Sequence, residues 1–160
     1  MPDTPIPQEG ANAPDFELPD GNNQPVRLSG LKGKPVVLYF YPKDNTPGCT
    51  VEANGFQKLL PEFQAAGVDV LGVSPDNAAS HCRFAGKFGL AFTLLSDTEH
   101  AVAAQYGVWV EKNRYGRKYW GVQRATFLID HEGRIAHVWP NVKPDGHAEE
   151  VLAAVQALAQ

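Results

Sequence analysis

Cys49 closes the stretch Tyr41-Pro42-Lys43-Asp44-Asn45-Thr46-Pro47-Gly48-Cys49, which leaves an apolar run and enters a helical pattern. Thr46 suits an N-cap, and Pro47 suits the first helical position, where its missing N–H is not needed. Gly48 and Cys49 then fall at the second and third positions. A helix N-terminus offers unpaired N–H groups and a partial positive charge, which favour a thiolate over a thiol. The thiolate is the nucleophile, so this placement gives Cys49 the means to react. A capping Thr46 and a merely packed Cys49 would use the same residues. That reading explains less well a thiol in the polar mouth between a buried strand and its helix.

Cys82 is the second cysteine, 33 positions on. Two cysteines are too few to staple a small secreted scaffold, and there is no Cys-x-x-Cys. His81, His100, His131, His137 and His147 are scattered, with no ligand pairs at zinc spacing, so no metal is expected. The 160 residues suit one domain with a substantial core, taken as 1–160 with residues 1–13 as a loose arm. Net charge is −4 with no basic run, which argues against nucleic acid or an anionic membrane as partner. The opening Met1-Pro2-Asp3-Thr4-Pro5-Ile6-Pro7 has no basic or apolar signal region, and no stretch reaches the ~20 apolar residues of a membrane span. A cytoplasmic location is expected.

These residues need elements to hold them. Phe16 and Leu18, then Val26 and Leu28, alternate around Asp20-Gly21 and predict a short hairpin. Residues 35–41 form a continuous apolar run, the mark of a strand buried on both faces. Phe56, Leu59, Leu60 and Phe63 follow at helical spacing, with Pro61 kinking or breaking the helix and Gly67 stopping it. A strand over 68–74, a helix from Pro75-Asp76-Asn77 through Phe88 ended by Gly89, a strand over 92–95 and a short helix over 100–106 come next. Residues 109–123 read as polar and irregular. Residues 125–130 and 134–139 are strands joined by the turn His131-Glu132-Gly133. Ala148 to Ala159 is a final helix with Val151, Leu152, Val155 and Leu158 inward. This order predicts an α/β fold, a mixed central sheet with helices on both faces and an N-terminal β-hairpin.

Pro42-x-x-x-Thr46-x-x-Cys49 resembles the active-site motif of the peroxiredoxins. The string from Phe40 to Ala53 resembles their bacterioferritin comigratory protein (peroxiredoxin Q) branch. Gly72-Val73-Ser74-x-Asp76, Ser80-His81-x-x-Phe84, Leu95-Ser96-Asp97 and Arg124-x-Thr126-Phe127-Leu128-Ile129-Asp130 extend the resemblance from about Ala13 to the last helix. It implies a thioredoxin-like fold and a thiol peroxidase. Cys49 would attack hydrogen peroxide or an organic hydroperoxide and become a sulfenic acid. Thr46 would hydrogen-bond the peroxide or the sulfur, and Arg124 would stabilise the thiolate and the charge on the breaking O–O bond. Pro42 would shield the nucleophile from water, and the amides of Gly48 and Cys49 would help hold the peroxide oxygen. Read without the resemblance, Pro42 simply ends a strand and Arg124 is half of a surface ion pair. Glu52, one helical turn after Cys49, either pairs with Arg124 or only favours the helix start, and stands outside the catalytic set.

Many members of the branch place a resolving Cys where this chain has Asn54, which cannot form a disulfide; others place it near residues 80–84. The resemblance thus makes Cys82 the resolving candidate. At ~100° per residue Cys82 is about 200° from Phe84, so it faces away from the stripe of Phe84 and Phe88 and is accessible. Separate helices would have to move to bring the two Cα atoms within ~7 Å. The alternatives are a one-Cys peroxidase resolved by an external thiol, and a thioredoxin-type thiol–disulfide oxidoreductase, against which the missing Cys-x-x-Cys argues. No cofactor is implied. Electrons would come from thioredoxin or glutaredoxin by thiol–disulfide exchange, to a monomer. The aromatic segment Trp109 to Trp120 could rim the pocket, but reads more simply as a surface loop.

Overall fold

The computed structural model describes residues 5–31 and 33–158. Its centre is a five-stranded mixed sheet, ordered β5-β4-β3-β8-β9. The strands are β3 (Val36–Phe40), β4 (Asp69–Ser74), β5 (Thr93–Ser96), β8 (Ala125–Ile129) and β9 (Ile135–Trp139). β3, β4 and β5 run parallel; β8 is antiparallel to β3 and β9 to β8. The apolar run around β3 is explained by its central place. Val36, Leu38 and Phe40 enter one core, and Val37, Tyr39 and Tyr41 enter the other.

The second core is covered by α1 (Pro47–Lys58), α2 (Leu60–Ala65), α3 (Ala78–Phe88) and α5 (His147–Leu158). The first is covered by α4 (Ala101–Gln105) and by the N-terminal hairpin of β1 (Glu17–Pro19) and β2 (Pro25–Arg27). Helices therefore lie on both faces, as expected from the element order. Pro61 falls in the first turn of α2 and divides it from α1 at Leu59. Gly89 ends α3 with φ 64, a left-handed value at which glycine avoids the Cβ penalty. A Cβ on Gly72 would lie 2.9 Å from both the Tyr39 ring and Leu94, so only glycine fits between them.

Three sequence expectations change. Residues 109–123 are not irregular: β6 (Trp109–Arg114) and β7 (Arg117–Val122) form a hairpin. Tyr115 (φ 54) and Gly116 (φ 77) make its two-residue turn, with both φ values positive. The hairpin projects, so both faces carry polar residues and the alternation that marks a half-buried strand is lost. The expected loose arm ends before residue 13: Gly10 N–H donates to Ile135 O at 2.8 Å and Ala13 N–H to Gly133 O at 2.9 Å. Met1 to Thr4 lie outside the described residues. In α5, Val151 and Val155 are buried, but Leu158, the last residue of the helix, is 40% exposed; Ala159 lies outside the described residues.

Candidate active site

β3 ends at Phe40, and the chain turns through residues 41–46 into α1. Thr46 has the extended backbone of an N-cap (φ −96, ψ 156), and its carbonyl accepts the first helical bond from Thr50 N–H at 2.8 Å. Its side chain does not cap, contrary to expectation. The hydroxyl instead donates to Lys43 O at 2.9 Å. With its proton committed there, the oxygen is left as an acceptor, suited to the hydrogen of a hydroperoxide.

Cys49 is the third residue of α1 and only 1% exposed. Arg124, directly before β8, comes from the neighbouring strand. Its Nη2 donates to Cys49 Sγ at 3.4 Å and its Nη1 to Glu52 Oε1 at 2.7 Å. A Cβ on Gly48 would lie 3.0 Å from that Nη2 and 3.5 Å from Pro144 Cγ. Glycine at 48 therefore lets the guanidinium reach the sulfur. Burial alone would lower the affinity of Arg124 for its proton, but Glu52 and Cys49 outweigh it and hold the group above its ordinary range. The cation is fixed in a partly buried site directly beside the sulfur.

Thus Gly48, Cys49 and Arg124 form one cluster, with the half-buried Thr46 at the mouth of the same helix. Pro42 is half-buried between the buried Tyr41 and the exposed Lys43 at the end of the strand. Cys82 is not part of the cluster. It is exposed on α3, and its thiol donates to Gly21 O in the first hairpin at 2.9 Å. Both cysteines are free.

Three further residues border the cluster. Glu52 settles on its pairing role, buried to 1% exposure against Arg124. Lys112, on the hairpin, donates to Val122 O at 2.6 Å. Burial and then the Arg124 charge hold its amine below the ordinary range. Pro144 packs beside Gly48. Only Glu52 carried a local signal, its i+3 spacing from Cys49; Lys112 and Pro144 arrive through tertiary contacts. Behind the site His147 joins Thr126 Oγ1 (2.8 Å) to Glu150 Oε1 (2.7 Å), tying α5 to β8.

Burial pushes the Glu52 carboxyl up to about 7, against the lowering effect of Arg124. The folded state therefore holds this proton more tightly than the unfolded chain. The stabilising contribution is fully present below the ordinary value of 4.5 and is lost as pH rises through about 7. Glu52→Gln removes it. The stability difference, parent minus variant, should fall by on the order of 3 kcal/mol between pH 4 and pH 8 in urea titrations. A constant difference across that window would refute the assignment.

The AhpC/TSA family pattern matches residues 10–138. A Coxiella burnetii protein of the peroxiredoxin Bcp type is 54% identical over 143 residues, 89% of this chain and 95% of that one. Peroxiredoxin Bcp of Escherichia coli is 48% identical over 143 residues, 89% and 92% of the two chains. The fold resembles the bacterioferritin comigratory protein of Xanthomonas campestris, a protein with alkyl peroxide reduction activity. The TM-score is 0.88 at 42% identity, covering 97% of this chain and 98% of that one. Among the described residues no helix is long and apolar enough to cross a membrane.

Proposed function

The chain belongs to the AhpC/TSA family, in its peroxiredoxin Bcp branch, and on that premise we propose that it reduces hydrogen peroxide and alkyl hydroperoxides through Cys49. The observation that carries the proposal is the 3.4 Å contact between Arg124 Nη2 and Cys49 Sγ at a helix N-terminus. A buried sulfur beside a fixed cation, in the first turn of a helix, is placed to act as the nucleophile. The thiolate attacks the distal peroxide oxygen. The S–O bond forms as the O–O bond breaks, sulfur is oxidised to sulfenic acid, and the departing oxygen leaves as water or alcohol once protonated.

Each neighbour then has a task. Thr46 Oγ1, its own proton given to Lys43 O, accepts the hydroperoxide hydrogen and aims the O–O axis at sulfur. The guanidinium stabilises negative charge on the leaving oxygen. The N–H groups of Gly48 and Cys49, in the unpaired first turn, help hold that oxygen. Pro42 contributes no donor and limits water at the sulfur.

For the second half-reaction we propose Cys82 as the resolving residue. Its sulfur attacks the sulfenic sulfur of Cys49; the disulfide forms, the S–O bond breaks, and hydroxide leaves as water with the thiol proton. A dithiol protein, which we take to be thioredoxin, then reduces the disulfide and restores both thiols. The exposure of Cys82 supports this route. Its engagement with Gly21 O, away from the Cys49 cluster, favours the second reading, a one-cysteine cycle resolved by an external thiol. Peroxide-treated Cys82→Ser should retain a persistent sulfenic or overoxidised Cys49, detected by mass. If that variant turns over with a thioredoxin system as fast as the parent, the one-cysteine cycle is correct.

A monomer in the cytosol completes the proposal. Bridges at Asn12–Arg134 and Asp20–Leu95 cover part of the outer edges of β9 and β5, which discourages strand pairing between copies. Free thiols suit a reducing compartment.

A further inference from the structure

The loop that delivers Cys49 is fastened to the helix that bears Cys82. Asp44, 6% exposed, accepts the Tyr41 hydroxyl at 2.6 Å on Oδ1. On Oδ2 it accepts the Ser80 hydroxyl at 2.8 Å and His81 Nδ1 at 2.7 Å. Its own N–H donates to Asp76 Oδ2 at 2.7 Å, and Lys87 Nζ donates to Asn45 Oδ1 at 3.3 Å. Loop residues 44 and 45 are thus held by both ends of α3. His81 Nε2 faces Leu95 O at 2.9 Å. Both ring nitrogens are thus engaged, one with the Asp44 carboxylate and one with a backbone carbonyl. Burial works to raise the Asp44 carboxyl, but His81, Tyr41 and Ser80 outweigh it and hold it below its ordinary range. The result is a buried hydrogen-bonded pair, with both side chains at most 3% exposed, between segments that precede one thiol and adjoin the other.

We propose that Asp44 and His81 are positioning residues for resolution: their buried pair couples the Cys49 loop to the first turn of α3, and its opening sets how fast the Cys49 sulfenic acid becomes a disulfide with Cys82. This rests on the reading of Cys82 as the resolving residue. Only five positions separate Asp44 from Cys49, so unwinding the start of α1 pulls first on the exposed Asn45–Lys87 contact and then on Asp44, the buried anchor of the two. Once Asp44 leaves, His81 and Ser80 lose their shared acceptor, and the turn carrying Cys82 keeps only the His81–Leu95 O contact to the sheet. While Asp44 stays, Cys82 is parked on Gly21 O and peroxide attack proceeds in a rigid pocket. The side-chain hydrogen bonds of Ser80 and His81 go to Asp44 and Leu95 O and not to Cys49, Thr46 or Arg124, so opening the pair should leave the first step alone.

The test uses Ser80→Ala and His81→Gln in the full chain, mixed rapidly with one equivalent of hydrogen peroxide. Sulfenic acid is trapped with a dimedone-type reagent, and disulfide is followed by mass. The resolution rate should rise about fivefold in Ser80→Ala, which loses one donor to a buried carboxylate, and about tenfold or more in His81→Gln, which disturbs the ring's two contacts at once. The rate of peroxide attack should stay within about twofold of the parent, a split that general loosening would not give. Amide exchange of residues 78–84 in the reduced protein should rise in the same order as the resolution rates. Unchanged resolution in both folded variants, or attack and resolution changing together, overturns the coupling. Unchanged amide exchange overturns it too, whatever resolves Cys49. If the oxidised parent lacks a Cys49–Cys82 link, the resolving assignment itself falls, seen by mass in the parent alone.

Discussion

Cys49→Ser should consume hydroperoxide no faster than buffer, whether followed directly or as peroxide-dependent NADPH loss with thioredoxin and its reductase. The substitution keeps shape, and the serine hydroxyl can still accept from Arg124 Nη2, which now lies 3.4 Å from the sulfur. The folded state should therefore change by no more than about 1–1.5 kcal/mol, the worth of one altered hydrogen bond. What disappears is the nucleophile. A serine hydroxyl stays protonated without an adjacent general base. The hydrogen-bond partner of Cys49 Sγ, Arg124, is already a cation and cannot act as one, and the nearby Thr46 hydroxyl donates to Lys43 O. A cationic pocket can hold an anion that forms, but it cannot take the proton from an alcohol. Residual activity of more than a few per cent in a folded Cys49→Ser protein would move the chemistry to another residue. Cys82 is the first to examine, since its thiol is exposed.

What the sequence made legible was local. The helix start at Thr46-Pro47-Gly48-Cys49 is written in cap and first-turn chemistry, and helix α1 begins at Pro47 as those residues require. The doubly buried β3 is written in its unbroken apolar run. Arg124 is 75 positions from Cys49 and gave no local sign; only the resemblance to a family connected the two. Asp44 gave no local sign either, because its partners at Ser80 and His81 lie 36 and 37 positions away. One clue was present. His81 stands three residues before Phe84 on the inward stripe of α3, and a histidine facing a core needs polar partners. The β6–β7 hairpin was missed for the opposite reason. Its strands bury little, and a period-two pattern appears only where one face is hidden. The side-chain bond of Thr46 to Lys43 was also invisible, since a cap signal fixes the backbone of a residue and not the rotamer of its hydroxyl.

Arg124→Met should slow peroxide attack by about 10²–10³-fold, the usual loss when a donor aimed at developing charge is removed. The substitution also has a folding cost, and the two effects can be separated. Arg124 is the counter-charge of Glu52, whose Oε1 it holds at 2.7 Å in a site with 1% exposure. Without it, Glu52 must either stay charged and unpaired or bind a proton. Stranding a buried charge costs about 3–5 kcal/mol. Already raised to about 7 with Arg124 present, the carboxyl will protonate more readily without it. The stability loss of Arg124→Met should therefore be small at pH 5 and large at pH 8, read from urea midpoints. Adding Glu52→Gln removes the stranded charge. The double variant should regain most of the stability lost at pH 8 and none of the lost peroxide reactivity. That outcome would assign the guanidinium two tasks, one for Glu52 and one for the sulfur. Recovery of both in the double variant would instead mean that Arg124 serves folding alone, and that the helix start by itself makes Cys49 reactive.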